Sequence, residues 1–327
     1  MKFYDIRKYN ALLLSGGAVV SACLFVYAML YGHLPANFWV FRCDASMYSE
    51  EYFLSYCSDK SFGSYEHGAA YFGTEPEIVA SLTTARVVLL GNSRALLAFS
   101  SQATEDYFAA RNVGFFNMAF NGEADVFPRR IIEKYDLRPD VIIVNVDYFF
   151  YDSANIVANK ILNNTSSAHF EYDLKAWVQP WHRLICTNKE TLLGGLICGG
   201  MLTQYKSRRN GRVRSPNWPN QNIAITYSGN YPASFVPGFL ATARKFKRFA
   251  DKRGACLVLT VVPSVYVTPK VGREIAAALK VPIILPPAQG LTGFDVGHLN
   301  PKSAEVWSRA FFNEFGPVMD RCLKGAV

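Results

Sequence analysis

Three nearly uninterrupted apolar runs constrain this chain more than any other feature: 86–90 (RVVLL), 141–146 (VIIVNV) and 256–262 (CLVLTVV). Each is short and rich in β-branched residues, and none alternates as a strand with one wet face does. Such runs read as strands buried on both faces of a parallel sheet. Two weaker runs, 113–117 (VGFFN) and 281–285 (VPIIL), read the same way. Helices are predicted between them at 104–111, 128–135, 238–252 and 271–279, and after them at 301–315. Pro128 suits a first helical turn, and Asn300 suits an N-cap. Strands alternating with helices predict an α/β chain with a parallel sheet between two helical layers. Half of the 327 residues are hydrophobic and 18% are charged, so the chain can bury a sizeable core.

The alternation is interrupted twice. Residues 34–82 are rich in aromatics, Ser and Gly and are expected to form a stalk or cap. Residues from about 151 to 235 hold many Asn, Ser, Gly, Trp and Pro with little periodicity, and read as an insertion or lid in a domain spanning 83–327.

The N-terminus adds a second constraint. Residues 11–31 (ALLLSGGAVVSACLFVYAMLY) carry no charge and are long enough to span a bilayer as a helix. Lys2, Arg7 and Lys8 precede them, which places residues 1–10 in the cytoplasm as a tail and the rest of the chain outside. A cleaved signal peptide is the rival reading. The run is long for one, and no small-x-small cleavage site follows it, so an uncleaved single-pass anchor in the cytoplasmic (inner) membrane is expected.

The cysteines agree with an exported domain. Cys23 lies in the apolar run, and six others follow: Cys43, Cys57, Cys186, Cys198, Cys256 and Cys322. An even number outside the cytoplasm suggests disulfides. Proximity suggests Cys43–Cys57 and Cys186–Cys198, which leaves Cys256–Cys322, though six cysteines allow fifteen pairings. Buried free thiols are the alternative. No Cys/His group has zinc spacing, so neither a metal nor a cofactor is expected.

The net charge is +8, but it is dispersed and accompanies no nucleic-acid motif. The densest basic run, Lys206, Arg208, Arg209, Arg212 and Arg214, is expected to be a solvated loop, with lipid headgroups or an anionic glycan as the alternative contact.

Two blocks carry chemistry. Ser93 directly follows a buried strand in LLGNSRA. Ligands of an open parallel sheet bind at the carboxyl ends of its strands. A serine opening a helix there is surrounded by backbone N–H groups, which suits a nucleophile that generates an oxyanion. Ser93 could equally be an ordinary N-cap. The second block, GFDVGHLNPKSAEVW, sets Asp295 three residues before His298 and just ahead of a helix. One short loop can then hold a general base and the acid that orients it. His169 and His182, in the insertion, read as structural or surface residues.

A strand followed by GNS, and a DxxH ahead of the last helix, resemble the SGNH/GDSL hydrolase superfamily over about residues 85–318, excluding the insertion. The resemblance implies a flavodoxin-like three-layer α/β/α sandwich and a Ser93–His298–Asp295 triad. It implies an oxyanion hole formed by the Ser93 backbone and Gly122, which lies in NMAFNGEAD after the second strand. Asn92, Arg94, Asn117 and Asn121 are further candidates for substrate contact. The third block departs from the pattern. Where the superfamily carries GxND, this chain reads VIIVNVDYFF, placing Asp147 and Tyr148 there as substrate contacts and no Asn at the expected position. Losing one oxyanion donor typically lowers rates by ~10²–10³. The LGNSRA wording, the anchor and this departure are similar to membrane-anchored SGNH-like proteins of bacterial envelope polysaccharide acylation. That likeness implies O-acyl transfer to a glycan, or ester hydrolysis on one. The implied partner is a multi-pass inner-membrane acyltransferase or polysaccharide synthase complex. A non-catalytic assembly module and a membrane-proximal lipase or thioesterase are the alternatives.

Overall fold

The computed structural model describes residues 20–21, 42–59, 62–187, 198–229 and 233–325. The expected tail at 1–10, Cys23, and the expected anchor apart from Val20 and Ser21 lie outside the described residues. Among the described residues no helix is long and apolar enough to cross a membrane.

In chain order the first elements are β1 (Tyr52–Cys57), β2 (Gly63–Ser64), α1 (Tyr65–Phe72), α2 (Pro76–Thr84), β3 (Val87–Leu90), α3 (Ser93–Ala98), α4 (Gln102–Arg111) and β4 (Phe115–Asn117). Next come α5 (Val126–Lys134), β5 (Val141–Asn145), α6 (Ile156–Asn163), α7 (Thr165–Thr187), β6 (Thr203–Ser207), β7 (Val213–Arg214) and β8 (Ile223–Ala224). The chain closes with α8 (Val236–Asp251), β9 (Cys256–Thr260), α9 (Pro269–Leu279), β10 (Ile283–Ile284), β11 (Thr292–Gly293) and α10 (Pro301–Leu323).

The five apolar runs form one parallel sheet, ordered β10-β9-β5-β3-β4. Counted along the chain, that is the doubly wound order 2-1-3-4-5 of flavodoxin-like folds. Continuous apolarity follows from burial on both faces. Val88, Leu90, Ile142, Val144, Leu257 and Leu259 enter one core, while their neighbours Val87, Leu89, Val141, Ile143 and Val258 enter the other. The second core is closed by aromatic residues, among them Phe108 of α4 and Trp307, Phe311 and Phe315 of α10. The last helix runs eight residues beyond its expected end at 315, through Pro317. It thereby brings Cys322 to Cys256 at the start of β9.

The two interruptions of the pattern meet in space. β1 of the early segment pairs antiparallel with β6 of the late one, giving a second sheet ordered β2-β1-β6-β7. The region 151–235 is more regular than its sequence suggests, because it contains the 23-residue helix α7. The basic run is not a solvated loop. Lys206 is buried and donates to Glu66 Oε2 at 3.0 Å, Arg208 to Glu75 Oε2 at 2.7 Å, and Arg212 pairs with Glu105. Acids from 51–105, far away in sequence, neutralise it across the sheet interface.

Three disulfides join Cys43 to Cys57, Cys186 to Cys198 and Cys256 to Cys322. Bonds of this kind persist in oxidising compartments and point to an extracytoplasmic domain. His182 is buried against Tyr48, and burial lowers its basicity to a pKa of about 4. His169 is on the surface beside Asp173.

Candidate active site

The site begins where β3 ends. Gly91 carries the chain out of the strand through a gap too small for a side chain. A Cβ there would stand 2.7 Å from Ala95 Cβ and 3.0 Å from Asn145 Cβ. Asn92, not Ser93, caps α3, its side chain accepting from Arg94 N at 3.0 Å. The Ser93 hydroxyl is therefore released from capping, and it meets His298 Nε2 at 2.8 Å.

The other half of the site is a tight loop. β11 pairs antiparallel with β8, and a bridge between Gly293 and Leu299 closes the loop between them. Gly293 is required there, since a Cβ would lie 2.3 Å from both Asp295 O and His298 O. Asp295 Oδ1 accepts the N–H groups of Gly297 and His298, each at 2.7 Å. His298 Nδ1 lies 2.9 Å from Asp295 Oδ2. The carboxylate assigns the Nδ1 proton and leaves Nε2 as the acceptor that faces Ser93. Burial raises the Asp295 pKa, but the His298 contact and the two N–H donors outweigh it and hold the carboxyl below its ordinary value. The imidazole is also stacked on Phe294 (5.5 Å, 5° between planes), which stacks on Trp218 at 5.3 Å.

Beneath Ser93 lies a second polar network. Asn92 Nδ2 donates to Asp147 Oδ2 at 2.9 Å, and the Arg94 guanidinium pairs with the same oxygen. The Arg94 guanidinium also lies 5.5 Å from the ring centroid of Tyr266. Asn92 and Asp147 are buried. Both are expected from the sequence as substrate contacts; here their polar atoms bond to protein groups, and they brace the strand end. Tyr148, next in sequence, does reach the surface, from a left-handed backbone (φ 49°) that a bulky residue seldom adopts.

The loop after β4 is held against the same strand end. Met118 N donates to Leu89 O and Phe120 N to Gly91 O. Gly122 is exposed there in a left-handed turn (φ 66°). Asn117 and Asn121, also expected as substrate contacts, are committed elsewhere. Asn117 is fully buried, donating to Leu96 O and accepting from Ala119 N. Asn121 donates from its backbone to Glu66 Oε1 and from its side chain to Gln204 Oε1.

Several residues that brace the site escaped the sequence reading. Glu66 of α1 and the buried Lys206 of β6, which also donates to Ala119 O at 3.0 Å, grip the Gly122 loop. Asn155 donates to Asn121 O and contacts His67, which faces Glu123. Asn145 ends β5 beside Gly91 and accepts from Val262 N. Only Asn145 left a signal, as a lone polar residue inside an apolar run. A cavity of about 470 Å³ lies behind the His298 stack, lined by Leu97, Val213, Arg214, Trp218, Phe294 and Leu299, rather than over Ser93. Among the described residues no acidic, His or Cys cluster could hold a metal.

No family profile and no curated protein matches this chain. Similar solved structures include a candidate acylhydrolase from Bacteroides fragilis, with 13% identity, a TM-score of 0.38, and coverage of 78% of this chain and 98% of that one. They include a GDSL-like lipase from Bacteroides thetaiotaomicron, with 12% identity, a TM-score of 0.38, and coverage of 77% and 99%. They also include TesA, with 10% identity, a TM-score of 0.33, and coverage of 72% and 98%. The α/β fold with a parallel sheet is the one expected from the sequence.

Proposed function

We propose that this protein is a serine-dependent O-acyltransferase or esterase acting on an extracytoplasmic cell-envelope polysaccharide. The carrying observation is the continuous chain from Ser93 Oγ to His298 Nε2 and from His298 Nδ1 to Asp295. Ser93 Oγ attacks the acyl carbonyl while its proton passes to His298, forming a tetrahedral oxyanion. The N–H groups of Ser93 and Gly122 receive that charge. The leaving oxygen takes the proton from His298 as its bond to the acyl carbon breaks, leaving an acyl-serine. A sugar hydroxyl or water then attacks the acyl carbon as its proton passes to His298, and on collapse the bond to Ser93 Oγ breaks while His298 returns the proton to it.

Exposed aromatic rings support a glycan acceptor. Tyr148 follows Asp147 and Tyr266 lies against Arg94, both rings exposed, while the exposed rings of Tyr151 and Phe235 meet Phe239, which Tyr148 also contacts. Flat rings of this kind present apolar faces to a sugar. The 11–31 run serves as a single-pass anchor in the inner membrane, with its N-terminus cytoplasmic. A multi-pass membrane acyltransferase or polysaccharide synthase complex is the matching partner, supplying acyl groups from across the bilayer.

The test offers the full chain in detergent a chromogenic acetyl ester, with and without oligosaccharide acceptors. Ester turnover that disappears in Ser93→Ala, and acetyl transfer to the oligosaccharide, are the expected results. Unchanged turnover in Ser93→Ala removes the catalytic reading and leaves an assembly module. Acyl release from phospholipid but not from glycan esters selects a lipase.

A further inference from the structure

Helix α7 carries an aromatic stripe that the proposed chemistry does not use. Phe170, Trp177, Trp181 and Leu184 follow one another at intervals of seven, four and three residues, which places them on one helical face. Their exposures are 71, 60, 53 and 60%. The opposite face is packed, with Tyr172, Val178, His182 and Cys186 buried. From Trp177 to Thr187 the other exposed residues are Pro180, Arg183 and Thr187, so this half of the face contains no carboxylate. A contiguous exposed apolar patch marks a contact surface.

Position identifies what it contacts. His182 joins α7 to Tyr48 at 3.1 Å. Cys186 is bonded to Cys198, and shortly after it Met201 N donates to Arg42 O while Met201 bridges Cys43. The C-terminal half of α7, Cys198 and the first residues of the continuous fold therefore converge at one pole. In sequence, the charge-free run ends at Tyr31, ten residues before that pole begins at 42. Ten residues reach at most ~33–36 Å, so an anchor at 11–31 keeps the pole close to the bilayer.

We propose that the Trp177–Trp181–Leu184 face of α7 lies in the bilayer interface, with both indoles at headgroup level and Phe170 at its margin. Tryptophan favours that region, where its ring meets acyl chains and its N–H stays wet. Arg183 supplies a cation to anionic headgroups. The inference rests on the anchor reading, not on the chemistry of Ser93. The domain is then seated against the membrane rather than hanging from a free tether.

The test reconstitutes the full chain into phosphatidylcholine/phosphatidylglycerol vesicles, with and without lipids brominated near the headgroup end of the acyl chain. Tryptophan fluorescence is compared between the native chain and Trp177→Phe/Trp181→Phe. The chain has five tryptophans, and Trp307 is buried in the core. Bromolipid should quench the native chain, and the double variant should lose most of that quenching while unfolding at the same temperature. Equal quenching in both proteins overturns the proposal. So does Trp181→Cys chain that forms disulfide-linked dimers in the same vesicles without lipid quenching of the native protein, which assigns the face to a second copy. Alkaline carbonate separates the two premises. Release of the protein refutes the anchor, whereas retention with equal quenching refutes only the seating of α7.

Discussion

Two loops complete the site, and they are held in opposite ways. The Asp295–His298 loop is wired mostly from within: its own N–H groups bind its carboxylate, and the Gly293–Leu299 bridge closes it. The Gly122 loop is wired from outside, by Glu66 and Lys206 on elements that lie 55 and 85 residues or so away in the chain. The contrast separates chemistry from placement. A local motif can align His298 with Asp295 by itself, whereas the position of Gly122, the proposed oxyanion donor, depends on elements drawn from both interruptions of the fold.

The largest effect should come from breaking the local loop. Asn at position 295 can still accept both backbone N–H groups, so Asp295→Asn should unfold at nearly the native temperature. It also presents an amide to His298 Nδ1, which favours the wrong tautomer, and kcat on a chromogenic ester should fall by about 10²–10⁴-fold. A small fall would show that the half-exposed carboxylate contributes little.

Breaking the remote wiring should act first on stability. Lys206→Met leaves Glu66 buried without its cation and should cost about 3–5 kcal/mol in denaturant unfolding. The paired change Glu66→Leu/Lys206→Met should recover much of that loss, because apolar replacements of buried ion pairs are often neutral. It should not recover kcat, since Asn121 N and Ala119 O lose their partners. Full recovery of kcat would mean that the pair supports the fold alone.

Asp125, in the same loop, tests the burden of burial there. Burial raises its carboxyl to a pKa of about 6, against the opposing pull of Arg129. A folded-state value above the unfolded one means that stability falls as pH rises from about 4 to 6 and stays reduced above that. Asp125→Asn should therefore stabilise the protein by up to ~3 kcal/mol at pH 8, at about 1.4 kcal/mol per unit. The difference should vanish only below the ordinary carboxylate value of 3.8, as thermal unfolding across that range would show.

The smallest effect concerns the ring stack behind the imidazole. Trp218→Leu removes the ring that supports Phe294 and, through it, His298. An aromatic pair contributes about 0.5–1.5 kcal/mol beyond burial, so kcat should fall by roughly threefold to tenfold with KM unchanged. No change would leave the orientation of His298 to Asp295 alone.

The parallel sheet was legible in the sequence, because strands buried on both faces are nearly continuous in apolar residues, and 86–90, 141–146 and 256–262 are short, β-branched runs of that kind. It also singled out Ser93, Asp295 and His298, which the structure brings into hydrogen-bonding distance, since each lies within a few residues of a strand or helix end. Tertiary structure decided the rest. Asn92 takes the cap that Ser93 could have taken, which no spacing reveals because both residues cap well. Asn117, Asn121 and Asp147 proved to be braces, because polarity in a sequence does not say whether a partner waits inside. The run from Lys206 to Arg214 looked solvated, since its neutralising acids, Glu66, Glu75 and Glu105, come from the far side of the chain. Burial of charge depends on partners brought together by folding, and here the helices packed beside the second sheet supply them.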